Sequence, residues 1–237
     1  MSERRLNRGE RASLAAYREL AIARPTAFRN PDPAGVVIIL ENEERCCAET
    51  GIRERLRADG LPVEWAEAGL FYEDRWLWMV RDVVRFPDGE FGTYHRIVLK
   101  GGEQGVIVIP VYDGRIVLLR HFRHGARGWS IEVPRGAPES GTDTDELARI
   151  ELGEECGGRV ESLAHVGCIN SNSGLITVSM QVYVASLESF GAPNVGEGIV
   201  ATYLVSPAEL EEWIGSGKVT DANTIAGFAL ARIRGLL

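Results

Sequence analysis

The sequence predicts an α/β protein preceded by a small α+β extension, and three observations carry that expectation. Residues 13–23 place Leu14, Tyr17, Leu20 and Ala21 at helical spacing. From residue 70 the pattern changes to β-branched and aromatic runs, separated by Pro87-Asp88-Gly89 and Asp113-Gly114. Residues 129–158 then read as strand, loop and helix. The expected division falls near residue 69. It leaves an extension over 1–69 and a main domain over 70–237, whose first part, 70–104, forms an early β-hairpin module. A chain of 237 residues is long enough to bury a sizeable core.

The elements follow in order. The helix at 13–23 should stop at Pro25, which cannot continue the pattern. Residues 36–40 are a short buried strand, and 43–58 a charged helix interrupted at Gly51. Strands at 76–84 and 93–99 flank the Pro-Asp-Gly turn, where proline presets φ and glycine permits positive φ. Trp76 and Trp78 share parity and should lie on one sheet face, as a local core or a subunit contact. Runs at 106–111 and 116–122 form a hairpin around Asp113-Gly114, and 129–133 is a third strand. Later strands fall at 163–169, 177–186 and 199–205, and helices at 207–215 and 223–234. Ser206 should cap the first of these helices, with Pro207 in its opening turn.

The net charge of −8 excludes general nucleic-acid binding, which needs concentrated Lys and Arg. A small anionic substrate stays open, because a bound cation inverts the local charge. Cys46, Cys47, Cys156 and Cys168 lack paired metal-ligand spacing and read as reduced thiols, the last two as small core residues. His121, His124 and His165 form no zinc pattern. No run is apolar enough for a signal peptide or bilayer span, so a cytoplasmic location is expected.

The chemistry concentrates in 136–158, where Glu151, Glu154 and Glu155 crowd one helical face before Gly157. Like charges at i, i+3 and i+4 repel by roughly 0.2–0.5 kcal/mol per pair in an isolated helix. A hard divalent cation would compensate, since Mg2+ binds through carboxylates and substrate phosphates. A solvated acidic helix end has the same spacing. Thr142 or Thr144 can cap this helix, and Gly157 can end it in the left-handed conformation.

The segment resembles the Nudix box: Gly136 opens it, Glu151-Leu152 match its Glu-aliphatic pair, Glu154-Glu155 its double glutamate and Gly157 its closing glycine. Thr142, Ile150 and Gly158 depart from the pattern. The first two replace a glutamate and an arginine that form an ion pair in the family, and losing both partners together is close to neutral. The flanks resemble the ADP-ribose pyrophosphatase branch. They hold Arg123 after the second strand, Trp129-x-x-Glu132-x-Pro134-x-Gly136, and a Gly-Lys-Val-x-Asp turn before the last helix. Ser171-Asn172-Ser173-Gly174 and Val178 depart from a Ser-Pro-Gly with a following acid.

The resemblance implies a Nudix-type α/β/α sandwich with a mixed sheet, working as a homodimer. It implies a Mg2+ site (Mn2+ as alternative) made by Glu151, Glu154, Glu155 and the backbone carbonyl of Arg135. Arg123 and Glu132 would bind substrate. Glu197, between Gly196 and Gly198, would be the loop base, with an exposed turn glutamate as the alternative. The activity implied is hydrolysis of a nucleoside diphosphate joined to another group, ADP-ribose first. A CDP-alcohol pyrophosphatase and a catalytically silent nucleotide-sensing domain are the alternatives.

Overall fold

The computed structural model describes residues 11–237. Two compact units appear, one running to Lys100 and taking in Gly174–Thr177, the other comprising Gly101–Ser173 and Val178–Leu237.

In the first unit, α1 (Ala12–Ala23) precedes a 3-10 turn, then β1 (Val37–Ile38), α2 (Asn42–Ala58), a second 3-10 turn and the strands β2 (Gly69–Glu73), β3 (Leu77–Arg85) and β4 (Phe91–Leu99). β3 pairs with β1, β2 and β4, always antiparallel. Helix α1 buries Leu14, Tyr17 and Leu20 as its spacing predicts. Helix α2 runs unbroken through Gly51, contrary to expectation. Its interior glycine costs about 1 kcal/mol relative to alanine, and the buried Arg45, Ala48, Glu49 and Ile52 face hold it regardless. The strand expected at 36–40 contracts to two residues. Trp76 lies just outside β3, exposed under the Arg75 guanidinium, whereas Trp78 packs on the core. The division expected near residue 69 falls after Lys100 instead. Val80, Val83 and Val98 of the hairpin module share one core with Leu14, Tyr17 and Ile52 of the two helices.

A charged knot sits in that core. Asp82 accepts from the Tyr17 hydroxyl at 2.5 Å and from Arg96 Nε at 2.5 Å, and Arg96 also donates to the Ala27 carbonyl. Removing one partner of such a buried pair strands the other. Asp82→Ala is therefore expected to cost about 3–5 kcal/mol. Chemical denaturation measures it, and a loss below ~1 kcal/mol would show the knot to be solvated.

The second unit is a mixed sheet between helices. Its strands are β5 (Gln104–Tyr112), β6 (Arg115–Arg123), β7 (Gly128–Glu132), β8 (Arg135–Gly136), β9 (Arg159–Ile169), β10 (Ser179–Ser189) and β11 (Ile199–Val205). Its helices are α3 (Thr144–Cys156), α4 (Pro207–Gly215) and α5 (Ala222–Ile233). The order is β11-β6-β5-β10-β9, with β7 on β6 and β8 on β5. Only β5 and β10 run parallel within this sheet. Alternation sorts the strands' side chains to two faces. Ile107, Ile109, Leu118 and Val182 meet Leu210 of α4 and Phe228 of α5. Val106, Val108, Leu119 and Tyr183 meet Leu147, Ala148 and Leu152 of α3. This is the α/β/α layering expected from the sequence.

Asp143, not Thr142 or Thr144, caps α3, its side chain accepting from the Glu146 N–H. Thr144 instead bonds the Tyr183 hydroxyl at 2.7 Å. Gly157 ends α3 at φ 60°, ψ 28°, as expected. Ser206 and Glu209 form a reciprocal capping box on α4. All four cysteines are free. Cys156 is buried, but Cys168 is exposed on β9, which corrects its expected core position. Among the described residues no helix is long and apolar enough to cross a membrane.

Candidate active site

The acidic face of α3 lies against β8. Gly136 is the contact: a β-carbon there would fall 2.0 Å from Glu151 Oε1 and 2.5 Å from its Cγ, so glycine makes the space through which Glu151 extends. Glu155, one turn on and 3 % exposed, accepts the Arg135 N–H at 3.1 Å through Oε2. Arg135 thus turns its N–H away from β5, and in an extended strand its carbonyl leaves on the same side. Glu154 stays exposed beside the pair, near enough for its charge to act on Glu151.

Burial, then repulsion from Glu154, pushes the Glu151 carboxyl up to about 7. Burial, then repulsion from Glu151, pushes Glu155 up to about 8, although the Arg135 N–H opposes this. Among the described residues no three His, Cys, Asp or Glu side chains form a preformed metal cage. Two crowded carboxylates and a nearby backbone carbonyl nevertheless fit a hard cation that completes its shell with water and phosphate oxygen.

Arg135 also belongs to a neighbouring basic cleft. Arg123, at the end of β6, pairs with Glu132, which is fully buried. Arg135 reaches Glu132 Oε2 at 3.7 Å and Asp221 Oδ1 at 3.5 Å. Asp221 also caps α5, accepting from the N–H and hydroxyl of Thr224 at 2.8 Å. Glu132 Oε2 and the Nε atoms of Arg123 and Arg135 are buried without a hydrogen bond. Arg123, Trp129, Arg135 and Asp221, with the turn around Gly125, line a cleft of about 610 Å³. Arg123 is close enough for its charge to favour ionisation of both Glu151 and Glu155. Glu132, expected to touch substrate, has no exposed surface and instead fixes the arginines.

Glu197 closes a short 3-10 turn (Val195–Glu197) before β11 and is exposed. Asn194 Nδ2 donates to its carboxylate at 2.9 Å, and the Asn194 N–H donates to the Glu155 carbonyl at 3.3 Å. The loop is thereby fastened to the C-terminal end of α3, and the Glu197 charge raises Glu151 further. Glu139, in the loop before α3, acts on Glu151 in the same sense.

The sequence reading missed Glu139, Asp221 and the burial of His121. His121 lies 3.3 Å from Glu132 Oε1, while His124 and His165 are exposed. The closing aspartate of the Gly-Lys-Val-x-Asp turn, Asp221, carried a signal in the sequence as a helix cap three residues before Thr224. Of the box departures, Thr142 and Ile150 are half-buried and uncharged, so no stranded charge remains, and Val178 is buried.

Two predictions arise from this geometry. Gly136→Ala should fold but displace the Glu151 side chain, lowering turnover by roughly 10²-fold, the scale of a 1 Å misplacement. Wild-type rates with a wild-type melting curve would remove Gly136 from the site. The second concerns pH. Both carboxyls hold protons more tightly folded, at about 7 and 8, than at their ordinary 4.5. Their contribution to stability is complete below the ordinary value and is lost as pH rises through the folded values. In chelator, the unfolding midpoint should therefore fall between about pH 5 and pH 8, and Glu151→Gln/Glu155→Gln should flatten the fall. An unchanged slope in the double variant would assign the titration elsewhere.

No family model matches the chain. The chain is 28% identical over 125 residues to "ADP-ribose pyrophosphatase" of Saccharomyces cerevisiae (strain ATCC 204508 / S288c), a stretch covering 46% of this chain and 54% of that protein. The chain thus spans about half the length of that curated relative. The fold is similar to a solved structure described as "Crystal structure of ADP compounds hydrolase", with a TM-score of 0.61 and 17% identity, over 72% of this chain and 95% of that one.

Proposed function

We propose that this chain is a Nudix-type pyrophosphohydrolase, dependent on a divalent cation, that cleaves a nucleoside diphosphate linked to another group. ADP-ribose is the leading substrate, giving AMP and ribose 5-phosphate. One observation carries the reading: the crowded carboxylates Glu151 and Glu155 pack on Gly136 and the Arg135 N–H, and the Arg135 and Arg123 side chains line the adjoining cleft. The sequence likeness to an ADP-ribose pyrophosphatase supports the choice of substrate.

Glu151, Glu155, the flanking Glu154 and the Arg135 carbonyl would hold Mg2+ or Mn2+. Such a cation neutralises phosphate charge and lowers the pKa of water. The chain's own residues supply the rest. Arg123, freed toward the cleft from Glu132, binds a phosphate oxygen and lowers the charge that an attacking water must approach. Arg135 is held between Glu132 and Asp221, its guanidinium lining the same cleft. Glu197 takes the proton from the attacking water as general base. A homodimer is part of this proposal.

A release assay tests it directly: nucleoside diphosphate derivatives with Mg2+ or Mn2+, product phosphate freed by a coupling phosphatase. ADP-ribose should give the highest kcat/KM. Preference for CDP-choline would shift the assignment to a CDP-alcohol pyrophosphatase.

A further inference from the structure

We propose that His121 is a positioning residue that links the Arg123–Glu132 pair to the loop carrying Glu197. This rests on the assignment of Glu197 as base. His121 is buried on β6, two residues before Arg123. Its Nδ1 lies 3.3 Å from Glu132 Oε1, the same oxygen that Arg123 occupies, and makes no hydrogen bond in this arrangement. The ring also lies against the segment that carries Glu197: a β-carbon on Gly198 would fall 3.9 Å from His121 Cδ2, and the Glu197 backbone is close enough to favour the protonated ring. Ile199 is its cross-strand partner, and the Phe122 N–H donates to the Gly198 carbonyl at 3.0 Å. The ladder shifts register between Ile199 and Ala201, so the loop leaves the sheet at His121.

Arg123 and His121 therefore share one acceptor. A diphosphate that draws Arg123 into the cleft leaves Glu132 Oε1 to His121. The ring's movement toward Glu132 is passed to the adjoining Glu197–Ile199 segment. Phosphate binding and the placing of the base become one event. The Glu197 carboxylate is itself tied locally, by the Asn194 amide at 2.9 Å. A base of that kind gains most from a second anchor.

The test combines kinetics with hydrogen exchange. His121→Ala and His121→Gln are made in wild-type and Glu197→Gln backgrounds and assayed with ADP-ribose and saturating Mg2+. Exchange of the amides over 194–199 is followed with and without α,β-methylene ADP, a non-hydrolysable diphosphate. His121→Ala should lower kcat by at least ~10-fold with KM within ~3-fold, and add nothing to Glu197→Gln. His121→Gln, which can still bridge, should recover most of the loss. The probe should slow exchange of the loop amides in wild type and leave them unchanged in His121→Ala. An active His121→Ala beside an inactive Glu197→Gln overturns this proposal alone. A fully active Glu197→Gln overturns the base assignment and this proposal with it. Should His121→Ala not fold, wild-type exchange decides, and loop amides indifferent to the probe overturn the proposal.

Discussion

Glu155→Gln is expected to keep the fold and to lose at least ~10²-fold in turnover, because neutralising a ligand weakens the charge stabilisation of the developing transition state. The substitution preserves shape. A glutamine oxygen can still accept the Arg135 N–H that Glu155 holds at 3.1 Å. What it removes is a buried negative charge that Glu151 already opposes. In chelator near pH 8 the variant should therefore melt higher than wild type while its turnover collapses, a gain in stability that accompanies loss of function. Glu151→Gln should behave similarly, and the two losses should not add, since both serve one cation. Near wild-type turnover in metal-replete buffer would take Glu155 out of the mechanism.

Glu197→Gln is the second large effect. General-base assistance is typically worth ~10²–10⁴-fold, and the loss should fall on turnover rather than on binding of substrate or cation. The exposed position of Glu197 means that the substitution leaves the core intact. Calorimetric binding beside product analysis separates the outcomes. A variant that binds normally and turns over slowly supports the base, and one that turns over normally assigns the proton transfer to another group.

The contrast between legible and illegible parts of the site has a physical origin. Glu151 and Glu155 were readable because helix geometry alone places i and i+4 on one face, whereas Gly136 stood out only through the resemblance, and its reason, the room it leaves for Glu151, lies in the packing. The hairpin at Asp113-Gly114 and the cap at Ser206 were readable from local chemistry of the same kind. The cap of α3 was misread by one residue because Thr142, Asp143 and Thr144 are all competent acceptors, and only packing on Tyr183 turns Thr144 away. Glu132, His121 and Asp221 come together from β7, β6 and the start of α5, and no local pattern announces a contact between them. The hairpin module's membership in the first unit is likewise a matter of which apolar faces meet, not of where a strand begins.

Product chromatography of ADP-ribose incubated with the protein and Mg2+, run beside Glu155→Gln, separates a hydrolase from a nucleotide-binding domain. Stoichiometric AMP and ribose 5-phosphate are expected from the wild type and almost none from the variant. Calorimetric binding of ADP-ribose by both proteins, with no product from either, would contradict a hydrolase and leave a nucleotide-sensing domain in its place.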